Sequence, residues 1–60
     1  MDIKQEIEKA RKWVEISKDT LEQVIEEGQS DEIIEYQRNE LSFYEDELKR
    51  LQEQLKNGGD

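Results

Sequence analysis

The feature of this sequence that most constrains its fold is a pair of heptad ladders, in which successive members lie alternately three and four residues apart. Such spacing places every member of a ladder on one stripe of an α-helix, where it can pack against a partner helix. The first ladder comprises Ile3, Ile7, Ala10, Val14, Ser17, Leu21 and Val24, and the second comprises Ile34, Gln37, Leu41, Tyr44, Leu48, Leu51 and Leu55. Because a short segment separates the ladders, the sequence predicts an all-α fold, a coiled-coil-like antiparallel hairpin of two helices.

The ends of the first predicted helix are marked in the sequence. Asp2 can accept a hydrogen bond from the first turn as an N-cap residue. Gly28 can adopt the left-handed conformation that often ends a helix, and neither ladder contains glycine or proline. We therefore expect a helix over residues 2–27, followed by a turn at 28–30.

The second helix is expected over residues 31–56. Ser30 or Asp31 can act as its N-cap, and acidic residues at this end suit the helix dipole. Residues 58–60 form a tail that is predicted to be disordered. Residues 1–57 should therefore make up a single helical-hairpin domain.

The chain is small for independent folding, with 60 residues and one interface between its two helices. It has no cysteine for a disulfide, and it lacks histidine as well, which removes the usual ligands of a structural zinc ion. Self-association is the remaining way to bury more apolar surface. We therefore expect a homodimer, in its simplest form two hairpins packed as a four-helix bundle.

Two positions of the seam, which is the set of ladder residues from both helices, are polar. Folding at the turn places Ser17 opposite Leu41 and Gln37 opposite Leu21, so each layer keeps an apolar member. A polar residue at such a position commonly sets helix register or oligomeric state. We interpret Ser17 and Gln37 in this structural sense.

The charge balance restricts the partners that the chain can have. Its 17 acidic and 9 basic residues give a net charge of −8. Binding to nucleic acid or to anionic membranes requires a basic surface, so neither is expected as a direct partner. No apolar run approaches the length of a membrane span, and the first residues lack the features of a signal peptide. We expect a cytoplasmic protein.

A set of five large apolar residues lies outside the seam. They are named here the aromatic flank and consist of Trp13, Ile16, Ile33, Tyr36 and Phe43. Their heptad positions place them on the same side of an antiparallel hairpin. Exposed together, they would make a larger apolar patch than monomeric proteins normally carry. The flank is therefore predicted to be an association face, covered by another copy of the chain, by a foreign protein, or by each in part.

Acidic residues concentrate around the predicted turn. Residues 19–37 contain seven carboxylates and no lysine or arginine. The acidic tip is defined here as Glu22, Glu26, Glu27, Asp31, Glu32 and Glu35. Glu26 and Glu27 lie at the negative end of the first helix, where a carboxylate costs a few tenths of a kcal/mol. We interpret the tip as aimed at a basic groove on a target, the alternative being a solvated face that maintains solubility.

The sequence offers little for catalysis. Acid–base and nucleophilic mechanisms depend on histidine, on cysteine or on an activated carboxylate or hydroxyl group. Ser30 is explained as a helix cap, and the spaced glutamates are expected by chance in so acidic a chain. We predict that the protein is not an enzyme and that it uses no cofactor and no metal ion.

Two segments resemble the short aspartyl-phosphate phosphatases of the sporulation phosphorelay, which are also helical hairpins. The likeness runs over residues 7–11 and 28–44. Where that family carries Ser-Gln-Glu-Leu-Asp, this chain has Arg38-Asn39-Glu40-Leu41-Ser42, so Glu40 and Leu41 match and Ser42 replaces the family's acidic residue. The resemblance implies a phosphatase acting on a phosphorylated response regulator as an alternative function.

In size and charge the chain is similar to small accessory proteins of Gram-positive phages. The ending Gly58-Gly59-Asp60 can be encoded by a strong ribosome-binding sequence, as in a tightly packed operon. Many such phage proteins inhibit host enzymes or defence systems. The hypothesis from sequence is therefore a non-enzymatic phage or mobile-element protein that binds and inhibits a host protein. Mimicry of DNA charge toward a nucleic-acid-binding target is a further alternative.

Overall fold

The computed structural model describes residues 2–58. Two α-helices make up most of this part of the chain, α1 over Ile3–Glu26 and α2 over Asp31–Lys56. They pack side by side in opposite directions, and the molecule measures 45 Å along the helices and 14 Å in each other direction. The predicted all-α hairpin is confirmed.

The first helix begins and ends as its capping residues dictate. The Asp2 carboxylate accepts a hydrogen bond from the Lys4 N–H at 3.1 Å. At the other end Gly28 has a φ of +70°, which a residue with a side chain adopts only at a cost. The Gly28 N–H donates to the Ile25 carbonyl at 3.1 Å and the Gln29 N–H to the Val24 carbonyl at 3.0 Å. These bonds form a Schellman motif, which reverses the chain within a few residues.

The second helix has Ser30 as its N-cap, which settles the choice between Ser30 and Asp31. The Ser30 hydroxyl oxygen accepts a hydrogen bond from the Ile33 N–H at 3.4 Å. Asn57 caps the far end of α2, where its N–H donates to the Glu53 carbonyl at 2.9 Å. Gly58 lies in a turn with φ +106°, whereas the rest of the predicted tail, residues 59–60, lies outside the described residues.

The apolar core of the hairpin is thin and lies mainly along α1. Ile7, Ala10, Val14 and Ser17 are buried, with 6–9% of their surface exposed. The other ladder residues of both helices are half-buried, and α2 contributes no fully buried residue. Each helix therefore buries one stripe against the other and exposes the remainder. Over residues 2–58, neither helix carries an apolar stretch long enough to cross a membrane.

Candidate protein-binding surfaces

The aromatic flank is exposed along its whole length. Its five residues keep between 42% and 60% of their surface in solvent. Each precedes or follows a seam residue on a regular helix, so its position follows directly from the helical period. The structure thus places large apolar side chains in water, as the heptad positions predict.

Three aromatic rings connect the two helices near the middle of the hairpin, at the end of the flank that lies farthest from the turn. The Trp13 and Tyr44 rings stack, with centroids 5.8 Å apart and planes inclined by 16°. Phe43 meets the same Tyr44 ring edge to face, at 5.6 Å and 75°. Both arrangements are favoured geometries for aromatic pairs. Tyr44 belongs to the seam and is half-buried, so the exposed Trp13 and Phe43 rings contact the interior of the hairpin through it.

A shallow groove runs along the flank beside this cluster. Its volume is about 260 Å³, and residues from both helices line it: Glu6, Lys9, Ala10, Trp13, Phe43, Tyr44, Glu47 and Leu51. The floor is apolar and the charged residues stand toward the open end of the hairpin, opposite the turn. Trp13 of α1 and Phe43 of α2 are therefore brought to the same side of the molecule, as predicted.

The other three flank residues extend the same face. Ile16 lies one turn beyond Trp13 on α1, and Tyr36 lies about two turns before Phe43 on α2. Ile33 precedes Tyr36 by one turn, which carries the apolar face close to the acidic tip. The flank thus continues from the middle of the hairpin to the turn.

Sequence reasoning missed one exposed apolar residue, Ile25, which has 48% of its surface in solvent. It lies twelve residues after Trp13, a rotation of about 120° around the helix axis, and so on the other side of the seam. Its place directly after the seam residue Val24 was the available signal. As a lone apolar residue on that side, it needs no functional explanation.

All six carboxylates of the acidic tip are exposed. Glu27 accepts hydrogen bonds from the side-chain amides of Gln23 at 3.3 Å and Gln29 at 3.2 Å. Within residues 2–58 the only ion pair joins Arg50 and Glu47 at 3.7 Å, away from the tip. The tip carboxylates are therefore available to a cationic partner.

The net charge of the described residues is confined to one end. Residues 2–18 and 38–58 together hold nine acidic and nine basic residues and are neutral as a set. The seven carboxylates of residues 19–37 have no compensating base. The hairpin is thus electrically polarised along its 45 Å axis.

The position of Glu26 and Glu27 is locally unfavourable. They stand at the end of α1, whose last turn contains no basic residue. Asp31 and Glu32, in contrast, stand in the first turn of α2, where the helix dipole favours negative charge. The helix dipole therefore favours Asp31 and Glu32 and disfavours Glu26 and Glu27.

The segment that resembles the phosphatase signature is divided between two environments. Leu41 is a half-buried seam residue, so the heptad pattern alone accounts for its presence. Glu40 is half-buried beside the flank, and Arg38, Asn39 and Ser42 are exposed. Among residues 2–58 no group of acidic side chains is close enough to hold a metal ion.

A larger depression, of about 440 Å³, lies on the outer face of α1. Side chains of that helix alone line it: Gln5, Glu8, Lys9, Arg11, Lys12 and Glu15. They carry both signs of charge and stand on one exposed surface. This depression is the space between neighbouring side chains of a single helix, and it is not a site formed between α1 and α2.

Comparison of the chain with protein-family models, with curated proteins and with solved structures finds no match.

Proposed function

We propose that this chain is a non-enzymatic protein-binding module that presents its acidic tip to a basic groove on another protein and associates through its aromatic flank. The observation that carries the proposal is that the net charge of residues 2–58 is confined to residues 19–37, where no carboxylate forms an ion pair within the described part of the chain. A charge excess spread over the whole surface would serve solubility equally well. Its concentration at one pole is typical of directed association.

The surroundings of the tip also suit a protein partner. Ile33 and Tyr36, with 42% and 59% of their surface exposed, stand on the same turns of α2 as Glu32 and Glu35. Apolar and aromatic anchors ringed by polar groups are common at the energetic centres of protein interfaces. The carboxylates would speed the encounter with a target, and Ile33 and Tyr36 would anchor the protein that covers the flank.

The cellular role that fits this module is inhibition of a host protein in the bacterial cytoplasm by a phage or mobile-element product. A basic groove is often the substrate or nucleic-acid site of its owner, so occupying it would block function. The support is the likeness in size and charge to phage accessory proteins, together with the exposed tip. The same surface favours one further candidate, mimicry of the charge of DNA.

A capture experiment tests the proposal. Tagged chain is incubated with lysate of a Gram-positive host and compared with a tip variant carrying Glu26→Lys, Glu27→Lys and Glu35→Lys. Lysine is favoured at the end of α1, so this variant should fold at least as well as the parent. The matched control carries Glu8→Lys, Glu15→Lys and Glu53→Lys, three exposed positions with the same change in net charge.

We expect the parent and the control to recover the same protein, and the tip variant to recover at least ten-fold less of it. Recovery should also fall as salt is raised, because exposed charges are screened. Equal recovery by all three forms would remove the tip from the mechanism. Competition by duplex DNA for the captured protein would support charge mimicry.

The phosphatase alternative has a separate assay. Incubation with a phosphorylated response regulator should leave the rate of phosphate loss unchanged if the chain is not an enzyme. Acceleration that is lost in Glu40→Gln would support the phosphorelay resemblance instead.

A further inference from the structure

We propose that a second copy of this chain covers the aromatic flank, packed antiparallel, so that the turn of each hairpin lies beside the open end of the other. The inference rests on the proposed function in one respect, the assignment of the flank as an association face. It adds the identity of the occupant and its orientation. Both follow from area, symmetry and charge.

The hairpin exposes more surface than a globular protein of its mass. Its accessible area is 5045 Å², whereas a monomer of 7.2 kDa is expected to expose about 4,100 Å². Within the described part of the chain, no side chain is buried to below 2% exposure. A second copy would remove the excess of roughly 900 Å² and would supply the missing interior.

The face of the hairpin that carries the flank has the size of one side of a stable dimer. The face of a hairpin measuring 45 by 14 Å covers about 630 Å² in projection, and accessible area exceeds projected area. Standard interfaces bury about 800 Å² on each partner. The apolar centre of such an interface is already present, since Trp13, Tyr36 and Phe43 are each half-exposed or more.

The aromatic cluster lies where a two-fold axis would need it. Trp13 and Phe43 are within two residues of the midpoints of α1 and α2. In a symmetric dimer the same patch is used by both copies. An axis through the middle of the hairpin therefore brings Trp13 and Phe43 against their own counterparts. The two hairpins then overlap along their full length, and the turn half of each flank lies against the open half of the partner.

Electrostatic repulsion between the acidic tips favours the antiparallel arrangement. A parallel pair would place two tips side by side, each with seven carboxylates and no base over residues 19–37. In the antiparallel pair each tip adjoins the partner's open end, where the continuation of the same face carries Lys9 and Arg50. Two acids share that end of the face, since Glu47 pairs with Arg50 at 3.7 Å and Glu6 lines the groove with Lys9. A surface with both signs of charge repels an acidic tip less than a second acidic tip would.

Oligomeric state and a matched pair of variants test the occupant. At micromolar concentration, sedimentation equilibrium should give twice the 7.2 kDa of the chain. Ile33→Lys, on the flank, should weaken dimerisation at least ten-fold. Ile25→Lys makes the same chemical change at a similarly exposed position on the other side of the seam, and it should alter the dimer affinity less than two-fold.

A distance measurement tests the orientation. A spin label on Gln29→Cys, in the turn of a chain that has no other cysteine, reports the separation of the two tips. In the antiparallel dimer this separation should approach the 45 Å length of the hairpin. In a parallel dimer it should be close to the 14 Å width, and such a short distance would overturn the antiparallel arrangement.

The outcomes separate this inference from the proposed function. A folded monomer with Trp13 in water would overturn the dimer, and it would leave the flank to a foreign protein. Equal effects of Ile33→Lys and Ile25→Lys would show that a dimer forms through another face. If a monomeric chain captures a protein and the tip variant does not, the proposed function holds without the dimer. If the chain forms an antiparallel dimer through the flank but captures no protein, the dimer holds without the proposed function.

Discussion

Removing the two carboxylates at the end of α1 should make the protein more stable. Glu26→Gln with Glu27→Gln takes two negative charges from the negative end of a helix whose last turn has no base. Each such charge costs about 0.3–1 kcal/mol at low salt, so the double variant should gain roughly 0.6–2 kcal/mol. Glutamine keeps both helix propensity and an oxygen that can accept the amide hydrogen bonds now made by Glu27.

The matched control removes two charges from the other helix at the same tip. Asp31→Asn with Glu32→Gln relieves a similar repulsion, about 0.4 kcal/mol for each pair of charges 10 Å apart in water. It also loses a favourable interaction with the start of α2, so the helix-dipole contribution changes sign. The two double variants should therefore differ in unfolding free energy by roughly 1–4 kcal/mol, with the lower part of the range expected for exposed side chains.

Thermal unfolding followed by circular dichroism measures this difference, at equal protein concentration because assembly contributes to stability. At the lower bound the two midpoints should differ by about 4–8 °C in low salt and should converge in 0.5 M sodium chloride. A Glu26→Gln, Glu27→Gln variant no more stable than the parent would refute the electrostatic reasoning. If these carboxylates serve binding, the same variant should also capture less target, so that stability rises as function falls.

Three further outcomes are expected from the fold. Gly28→Ala should cost about 1–2 kcal/mol in urea unfolding because of the positive φ alone, since an added Cβ meets no atom within 4 Å. D-alanine in a synthetic chain favours positive φ and should cost less, and equal effects of the two residues would contradict this. A double-mutant cycle on Trp13 and Tyr44 should give a coupling of about 0.5–1.5 kcal/mol, and zero coupling would argue against the stacked pair. Ser17→Ala should raise the free energy of unfolding by about 0.5 kcal/mol through helix propensity, and a lower free energy of unfolding would contradict this.

The helices and their ends could be predicted because local rules determine them. The ladders require one stripe on each helix to be buried, and each ladder residue is at least half-buried in the structure. Asp2 and Gly28 have the chemistry that their positions demand, so both were identified from sequence. The choice between Ser30 and Asp31 was open, because either side chain can accept the hydrogen bond and only the backbone geometry selects Ser30.

The candidate surfaces were predictable in position but not in detail. Heptad positions place Trp13 and Phe43 outside the seam, and the structure exposes both. The stacking of Trp13 on Tyr44 was missed, since a heptad analysis treats seam and flank as separate and a large ring can reach across them. The target could not be predicted, because the sequence of one chain does not contain the surface of a foreign partner.

The residues that pack the two helices together and those proposed to bind occupy different positions of the heptad. This separation bears on how such a protein can evolve. Neither the five flank residues nor the six tip carboxylates occupy ladder positions, so the residues that maintain the fold are distinct from those proposed to bind. Substitutions at Glu26 and Glu27 would even stabilise the hairpin, whereas Asp31 and Glu32 also support the start of α2. If the chain binds a target as proposed, substitutions at a few exposed positions could redirect the same hairpin toward a different protein.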